Sequence, residues 1–197
     1  MKYFVYVGMI QFRSKNMNQS QLIQAYLTRD KDKHQRFVGK FSASDLSSIM
    51  GGYMTPKNFF AEKKINALSA KKMITGIILE DGLTRLLENA NIDFKSQQRY
   101  EIPIDDFIVV AKTDFEFGGA IYETKWTEKT IDQAMETYQW QLQLQWEATK
   151  KPVYLTKISI PFDLRAYKFE PSEERFEHIK TTLRWFHGEL KKLGGQN

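Results

Sequence analysis

The stretch from residue 106 to residue 127, DFIVVAKTDFEFGGAIYETKWT, constrains this chain more than any other. It reads as two apolar strands folding back at Gly118-Gly119, with Asp114 closing the first and Glu123 and Lys125 on the second. Residues two apart on a strand share a face, so the Glu123 carboxylate and the Lys125 ammonium point the same way. The fold-back brings Asp114 across the hairpin toward them. The first strand, Phe107 to Ala111, is a continuous apolar run of the kind covered on both faces. Charged groups at the end of such a strand need a partner or a metal, because an isolated buried charge is very costly. Two carboxylates and a lysine on one sheet face can hold a divalent cation beside a water that must lose a proton. That is the chemistry of metal-dependent phosphodiester hydrolysis. The hairpin alone leaves open the alternative of an ordinary ion pair at a sheet edge.

Spacing by itself carries little. Glu-x-Lys also occurs at Glu62/Lys64 and Glu189/Lys191, as expected of a chain that is 27% charged. What separates Glu123 and Lys125 is their setting among Ala120, Ile121, Tyr122 and Trp126, a segment of strand composition. Elsewhere the composition excludes several classes. With no cysteine, disulfides, thiolate zinc sites and cysteine-ligated iron–sulfur clusters are ruled out. The N-terminal apolar run is short and reads as a strand, and no run of about eighteen apolar residues suggests a membrane span. We therefore expect a cytoplasmic, soluble protein without membrane contact. The net charge of +5 is compatible with nucleic acid.

Along the chain, residues 1 to 10 read as a strand and residues 19 to 28 as a helix, followed by a charged loop at 29 to 40. Lys31, Lys33 and Arg36 in that loop are candidates for phosphate contact, with a solvated loop as the plainer reading. Ser44 is placed to cap a helix ending at Gly51-Gly52, and Thr55-Pro56 opens a short helix with Phe59 and Phe60 facing inward. A longer helix is expected from Ser69 to Asn89, where Gly76 and Gly82 would admit a neighbouring backbone and Glu80 lies between them. After the hairpin, a helix over Lys129 to Thr149 carries Gln141 and Gln145 on one face and Gln139 and Gln143 on another. Two strands, VYLTKISIP and LRAYKF, precede a C-terminal helix from Ser172 to about Leu193. His178 and His187 lie near its opposite sides and read as surface or cap residues. This order of elements predicts an α/β domain with a central mixed β-sheet flanked by helices.

Four pieces in chain order together resemble the PD-(D/E)XK nuclease superfamily, within it the YqaJ/lambda-exonuclease and RecB-like branch. SASDLSSIMGGYMTPKNFFAEK is similar to the branch's Ser-rich helix, and GIILEDGLTRLL to its core helix with Glu80 at the acidic position. TDFEFGGAIYETK carries the Asp…Glu-x-Lys motif, and YQWQLQ is similar to the glutamine motif with Gln141 the best fit. The resemblance spans roughly residues 42 to 145. It implies a restriction-endonuclease-like core over about 42–170, an N-terminal extension at 1–41 and a C-terminal helix at 171–197, all in one domain. The first forty residues match nothing in that family. The four cysteines of iron–sulfur relatives are missing.

The resemblance implies that Asp114 and Glu123, with the Thr124 carbonyl and Glu80, ligate Mg²⁺, or Mn²⁺ as a substitute, as suits an all-oxygen site. Lys125 would orient the nucleophilic water, and Gln141 would hold Lys125 or the phosphate. The expected activity is an exonuclease-like deoxyribonuclease acting on DNA ends or single-stranded regions in recombination, repair or mobile-element replication, phage included. A structure-selective or single-strand endonuclease and a non-catalytic nucleic-acid-binding protein are the competing expectations. A homo-oligomer and a single-strand annealing or recombination partner are compatible with the family. Lys57, Lys63, Lys64, Lys71, Lys72, Lys129, Lys150 and Lys151 are candidates for phosphate contact. Trp126, Trp140 and Tyr138 are candidates for base stacking, with core packing as the plainer reading.

Overall fold

The computed structural model describes residues 36–61, 67–159 and 163–194. The strand expected at 1 to 10, the helix at 19 to 28, and Lys31, Lys33, His34, Lys63 and Lys64 lie outside them.

Strand β1 (Lys40–Ser42) runs directly into helix α1 (Ala43–Met50). The helix is started by Ser42, not by Ser44. The Ser42 hydroxyl accepts from the Asp45 N–H while Asp45 reaches back to the Ser42 N–H, a reciprocal capping box. Arg36, a candidate for phosphate contact, is instead tied to Asp45 at 2.9 Å and to the Phe59 carbonyl at 2.7 Å, which pins the chain entering β1. After a 3₁₀ turn at Pro56–Asn58, Phe59 is buried but Phe60 is 58% exposed, so one of the two expected inward phenylalanines faces out.

Helix α2 spans Ala67–Asn89. A side chain at Gly76 or Gly82 would meet nothing within 4 Å among the described residues, so these glycines admit no described backbone. Ile78 and Leu86 on the same helix are 64% and 59% exposed.

The central strands divide differently from the expected hairpin. β2 (Lys95–Ser96), β3 (Arg99–Ile104), β4 (Phe107–Lys112), β5 (Phe115–Phe117) and β6 (Ala120–Trp126) follow in order. β4 lies in a three-stranded sheet of order β1-β4-β3, parallel to β1 and antiparallel to β3. β5 opens a five-stranded sheet, β2-β5-β6-β7-β8, completed by β7 (Val153–Ser159) and β8 (Asp163–Lys168). The chain changes sheets at Thr113-Asp114. There the Gln97 N–H donates to the Asp114 carbonyl at 3.0 Å, and the Thr113 N–H to the Gln98 carbonyl at 2.9 Å. Asp114 therefore sits at the seam between the sheets. The hairpin proper is β5–β6, turned by Gly118 and Gly119 at φ of 56° and 78°, which glycine adopts without a Cβ penalty.

β6 and β7 are parallel, so a crossover must join them. It is helix α3 (Ile131–Thr149), capped by Thr130 and Gln133. Helix α4 (Glu173–Gly194) closes the chain. Two apolar clusters result. Phe41, Leu46, Phe59, Val109, Ile179, Leu183 and Phe186 belong to the first, and Ile121, Leu142, Val153, Leu155 and Phe169 to the second. α3 contributes Leu144 to the first and Leu142 to the second. His187 is 5% exposed, packed against the Phe107 ring with centroids 5.1 Å apart, and is a core residue, not a surface one. Among the described residues, no helix is long and apolar enough to cross a membrane.

Phe41 is fully buried, and its ring lies 5.6 Å from that of Phe59, 5.5 Å from Phe107 and 6.0 Å from Phe186. Phe41→Ala should cost about 3–5 kcal/mol, since those surrounding rings cannot all close the cavity. Urea unfolding of the variant against wild type measures it.

Candidate active site

Glu123 is 0% exposed in the middle of β6, a position where a lone carboxylate would be prohibitive. Its neighbours supply donors to both oxygens. Lys125, two residues on along the same face, and Gln141 Nε2 at 2.6 Å bond to Oε1. Gln145 bonds to Oε2, and the same amide nitrogen reaches the Lys112 carbonyl at 2.8 Å. One helical turn separates the two glutamines, so α3 lays both against the strand. Tyr138, a turn earlier, places its ring 5.4 Å from Lys125 Nζ.

Asp114 lies at the seam, 8% exposed. Its Oδ2 accepts from the Thr124 backbone N–H at 2.8 Å, which ties the seam to β6. On its other side, Gln97 Nε2 stands 3.5 Å from Oδ1 and 3.1 Å from Oε2 of Glu80. Thus Glu80, Asp114, Glu123 and Lys125, from α2, the seam and β6, are brought to one place, as their order in the chain anticipates.

The carboxylates are under electrostatic pressure. Burial pushes Glu80 from an ordinary value of 4.5 up to about 7, with the Asp114 carboxylate adding to it and Lys125 offsetting part. Glu123 is raised for the same reasons, burial first and then Asp114, against the pull of Lys125. Burial opposes a charge on Lys125, but Glu123 and Asp114 outweigh it and hold the ammonium above its usual range. Both carboxylates thus favour an ammonium on Lys125, which donates to Glu123. Glu116 makes the contrast. It is also buried, yet Tyr100 at 2.6 Å, Lys151 at 3.0 Å and Thr113 at 3.0 Å keep it below the usual carboxylate range.

The donor set is all oxygen, which suits a hard divalent cation such as Mg²⁺ or Mn²⁺. A cation would offset the burial and the repulsion from Asp114 that lift Glu80 and Glu123. Among the described residues, no three acidic or histidine side chains are gathered closely enough to hold a metal as they stand, and both Glu123 oxygens are already engaged. Glu80 Oε2 and Asp114 Oδ1, which share the Gln97 amide, are the pair open to such an ion. Thr124, expected to offer its carbonyl, meets Asp114 through its N–H.

Gln141 holds Glu123, where the sequence reading gave it Lys125 or the phosphate. Gln145 does as much, and its position one turn from Gln141 was the visible signal. Gln97 carried no signal, since nothing in the pattern around it places it beside two carboxylates 17 residues away in either direction. Gln139 and Gln143, on the other face of α3, accept from Arg175 of α4 at 3.1 and 3.0 Å. Of the lysines considered for phosphate contact, Lys57 and Lys72 are exposed, Lys151 is committed to Glu116, and Lys150 lies over the Trp146 ring at 4.0 Å. Lys129 bonds Thr137 at 2.7 Å, and the Lys71 side chain lies outside the described residues. Trp140 packs on the first core cluster and Tyr138 on the second.

No protein-family model and no curated protein matches this chain. Its fold does match solved structures. A structure described as SSO0001 superposes with a TM-score of 0.61 over 84% of this chain and 81% of its own, at 16% identity. The alkaline exonuclease LHK-Exo from Laribacter hongkongensis gives 0.56 over 79% of this chain and 89% of its own, at 18% identity. The same exonuclease in complex with dAMP gives 0.59 at 19% identity, over the same shares of the two chains. A phage-related exonuclease from Haemophilus somnus gives 0.53 at 14% identity, covering 78% of this chain and 83% of that one. The chain thus has the α/β fold of these exonucleases, the fold that its resemblance to the YqaJ/lambda-exonuclease branch implies.

The raised Glu80 group has a consequence for stability. The folded protein binds a proton there that the unfolded chain releases between about pH 4.5 and 7. Stability from this group is present below about 4.5 and lost as the pH rises through about 7. In EDTA, Glu80→Gln should show a shallower fall in unfolding free energy between these limits than wild type, measured by urea titrations at successive pH values.

Proposed function

We propose that this chain is a metal-dependent deoxyribonuclease that hydrolyses phosphodiester bonds, exonuclease-like in its preference for DNA ends. One observation carries the reading. A fully buried glutamate is paired with a lysine two residues away and set beside Asp114 and Glu80, in a fold shared with exonucleases. An ordinary structural ion pair has no need of a further carboxylate, Asp114, close enough to raise its glutamate.

Glu80 and Asp114 would hold Mg²⁺ or Mn²⁺ first, with Glu123 and the Thr124 carbonyl joining the set once Glu123 exchanges one of its present donors for the ion; the cation when bound would polarise a phosphoryl oxygen and acidify water. Lys125 presents a permanent ammonium, able to donate to the attacking water or to the charge that builds on the phosphate. Gln141 and Gln145 fix the Glu123 carboxylate, and through it the lysine. The Thr124 N–H fixes Asp114. Tyr138 shields one side of the ammonium from solvent. The basic balance of the chain, with exposed Lys57 and Lys72, suits a polyanionic substrate. The structural likeness to exonucleases, one of them bound to dAMP, favours DNA as that substrate. The sequence resemblance to the YqaJ/lambda-exonuclease branch is what suggests a role in recombination, repair or mobile-element replication.

The test is cleavage of end-labelled linear DNA and closed circular DNA with Mg²⁺ or Mn²⁺. Wild type should cleave, linear DNA faster than circular, and Asp114→Ala should not. Equal cleavage of circular DNA would make the enzyme an endonuclease. DNA binding without cleavage on any substrate would make it a binding module.

Lys125→Ala should lower turnover by about 10²–10⁴-fold while Mn²⁺ still binds. Loss of Mn²⁺ binding in this variant, followed by titration calorimetry, would contradict the division between lysine and carboxylates.

A further inference from the structure

Gln97 is held in an unusual way. Its backbone adopts φ of 54°, in the left-handed region that side-chain-bearing residues rarely occupy. Among the described residues, the other non-glycine residues there are Asn91, Asp105 and Lys150. Asn and Asp tolerate this region, and Lys150 is the C-cap of α3. Gln97 is none of these. It is fixed by its N–H to the Asp114 carbonyl at 3.0 Å, within the backbone latch that joins β2 and β3 to the seam. Local strain of this kind persists where surrounding structure enforces it, and it collects at functional sites. The strained backbone delivers the Gln97 amide between Glu80 and Asp114, at 3.1 and 3.5 Å.

Carboxylates accept, so the amide faces them with its nitrogen. The position of that nitrogen matters. Oxygens at neighbouring corners round a Mg²⁺ ion, with bonds of about 2.1 Å at right angles, stand about 3 Å apart. The Gln97 amide group therefore occupies a place that suits a third oxygen beside Glu80 Oε2 and Asp114 Oδ1, not the place of the ion itself. A half-turn about its terminal bond exchanges Nε2 for Oε1 and converts the donor to an acceptor at that corner.

We propose that Gln97 is a cation-responsive ligand of the carboxylate site. Without a cation its nitrogen neutralises part of the repulsion between Glu80 and Asp114. With one, its oxygen completes the ligand set. The inference rests on the divalent-cation reading of the site and adds to it a side chain from a separate strand junction.

The experiment uses the full chain and Mn²⁺ as the probe, with binding read from the loss of the free-ion electron paramagnetic resonance signal. Gln97→Gly removes the side chain in a conformation that glycine accepts, so backbone strain cannot account for its effect. It should raise the Mn²⁺ dissociation constant about tenfold or more. Gln97→Glu keeps an acceptor oxygen and loses the donor. It should bind Mn²⁺ at least as tightly as wild type, yet unfold at lower urea concentration in EDTA at neutral pH. Unchanged Mn²⁺ affinity in Gln97→Gly, or an equal loss in Gln97→Glu, would overturn the proposal. Asp114→Ala separates the two levels. Binding that depends on Asp114 but ignores Gln97 sinks this inference alone, whereas wild type that binds no Mn²⁺ sinks the cation reading with it.

Discussion

The grip on Glu123 is the constraint from which the rest of the structure follows. A carboxylate with no solvent exposure demands donors, and three side chains meet that demand: one from its own strand and two from α3. The helix must then lie across β6 in one register. With that register set, Leu142 and Leu144 fall into different apolar clusters and join the parts of the core. An apolar helix face alone could slide by a residue at modest cost. Amides aimed at a buried charge cannot, because leaving such a charge unpaired costs several kcal/mol.

Asp114 depends on a second constraint, the change of sheets at residues 113 and 114. A strand that ends one ladder and begins another leaves backbone groups unpaired at the join. Here Gln97 and Gln98 take them up. The side chain at the join is thereby held between the Thr124 N–H and the Gln97 amide. Irregular backbone at this point is what turns a carboxylate inward beside Glu80 and Glu123.

Much of this was legible in the chain. Strand composition and two glycines located β6 and its turn, and the two-residue spacing of Glu123 and Lys125 gave their shared face. The four-residue spacing of Gln141 and Gln145 gave a common face of α3. What local pattern could not supply was partner choice. The apolar run from Phe107, closed by Asp114, reads as the first strand of a hairpin turned at Gly118-Gly119, yet the chain changes sheets at Thr113-Asp114 because the pairing partners change, and pairing is a long-range property. Ser42 beat Ser44 as the cap since only it stands three residues before Asp45. Phe59 and Phe60 are equivalent in composition, and it is packing against Phe41 and Phe186 that distinguishes Phe59. Gln97 was invisible because its role comes from a turn conformation that its residue type does not announce.

The clamps on the two faces of α3 share a chemical character. Gln141 and Gln145 hold Glu123, while Gln139 and Gln143 hold Arg175, and every one of the four helix groups is an uncharged amide. A helix that used carboxylates against the half-buried Arg175 would attach itself there through ion pairs whose strength fades as salt rises. Neutral amides facing charged partners lose far less to screening. Ionic strength can then weaken the attraction of a polyanion to the surface lysines while the geometry beneath stays put, so grip on the ligand and integrity of the site answer to different solution conditions.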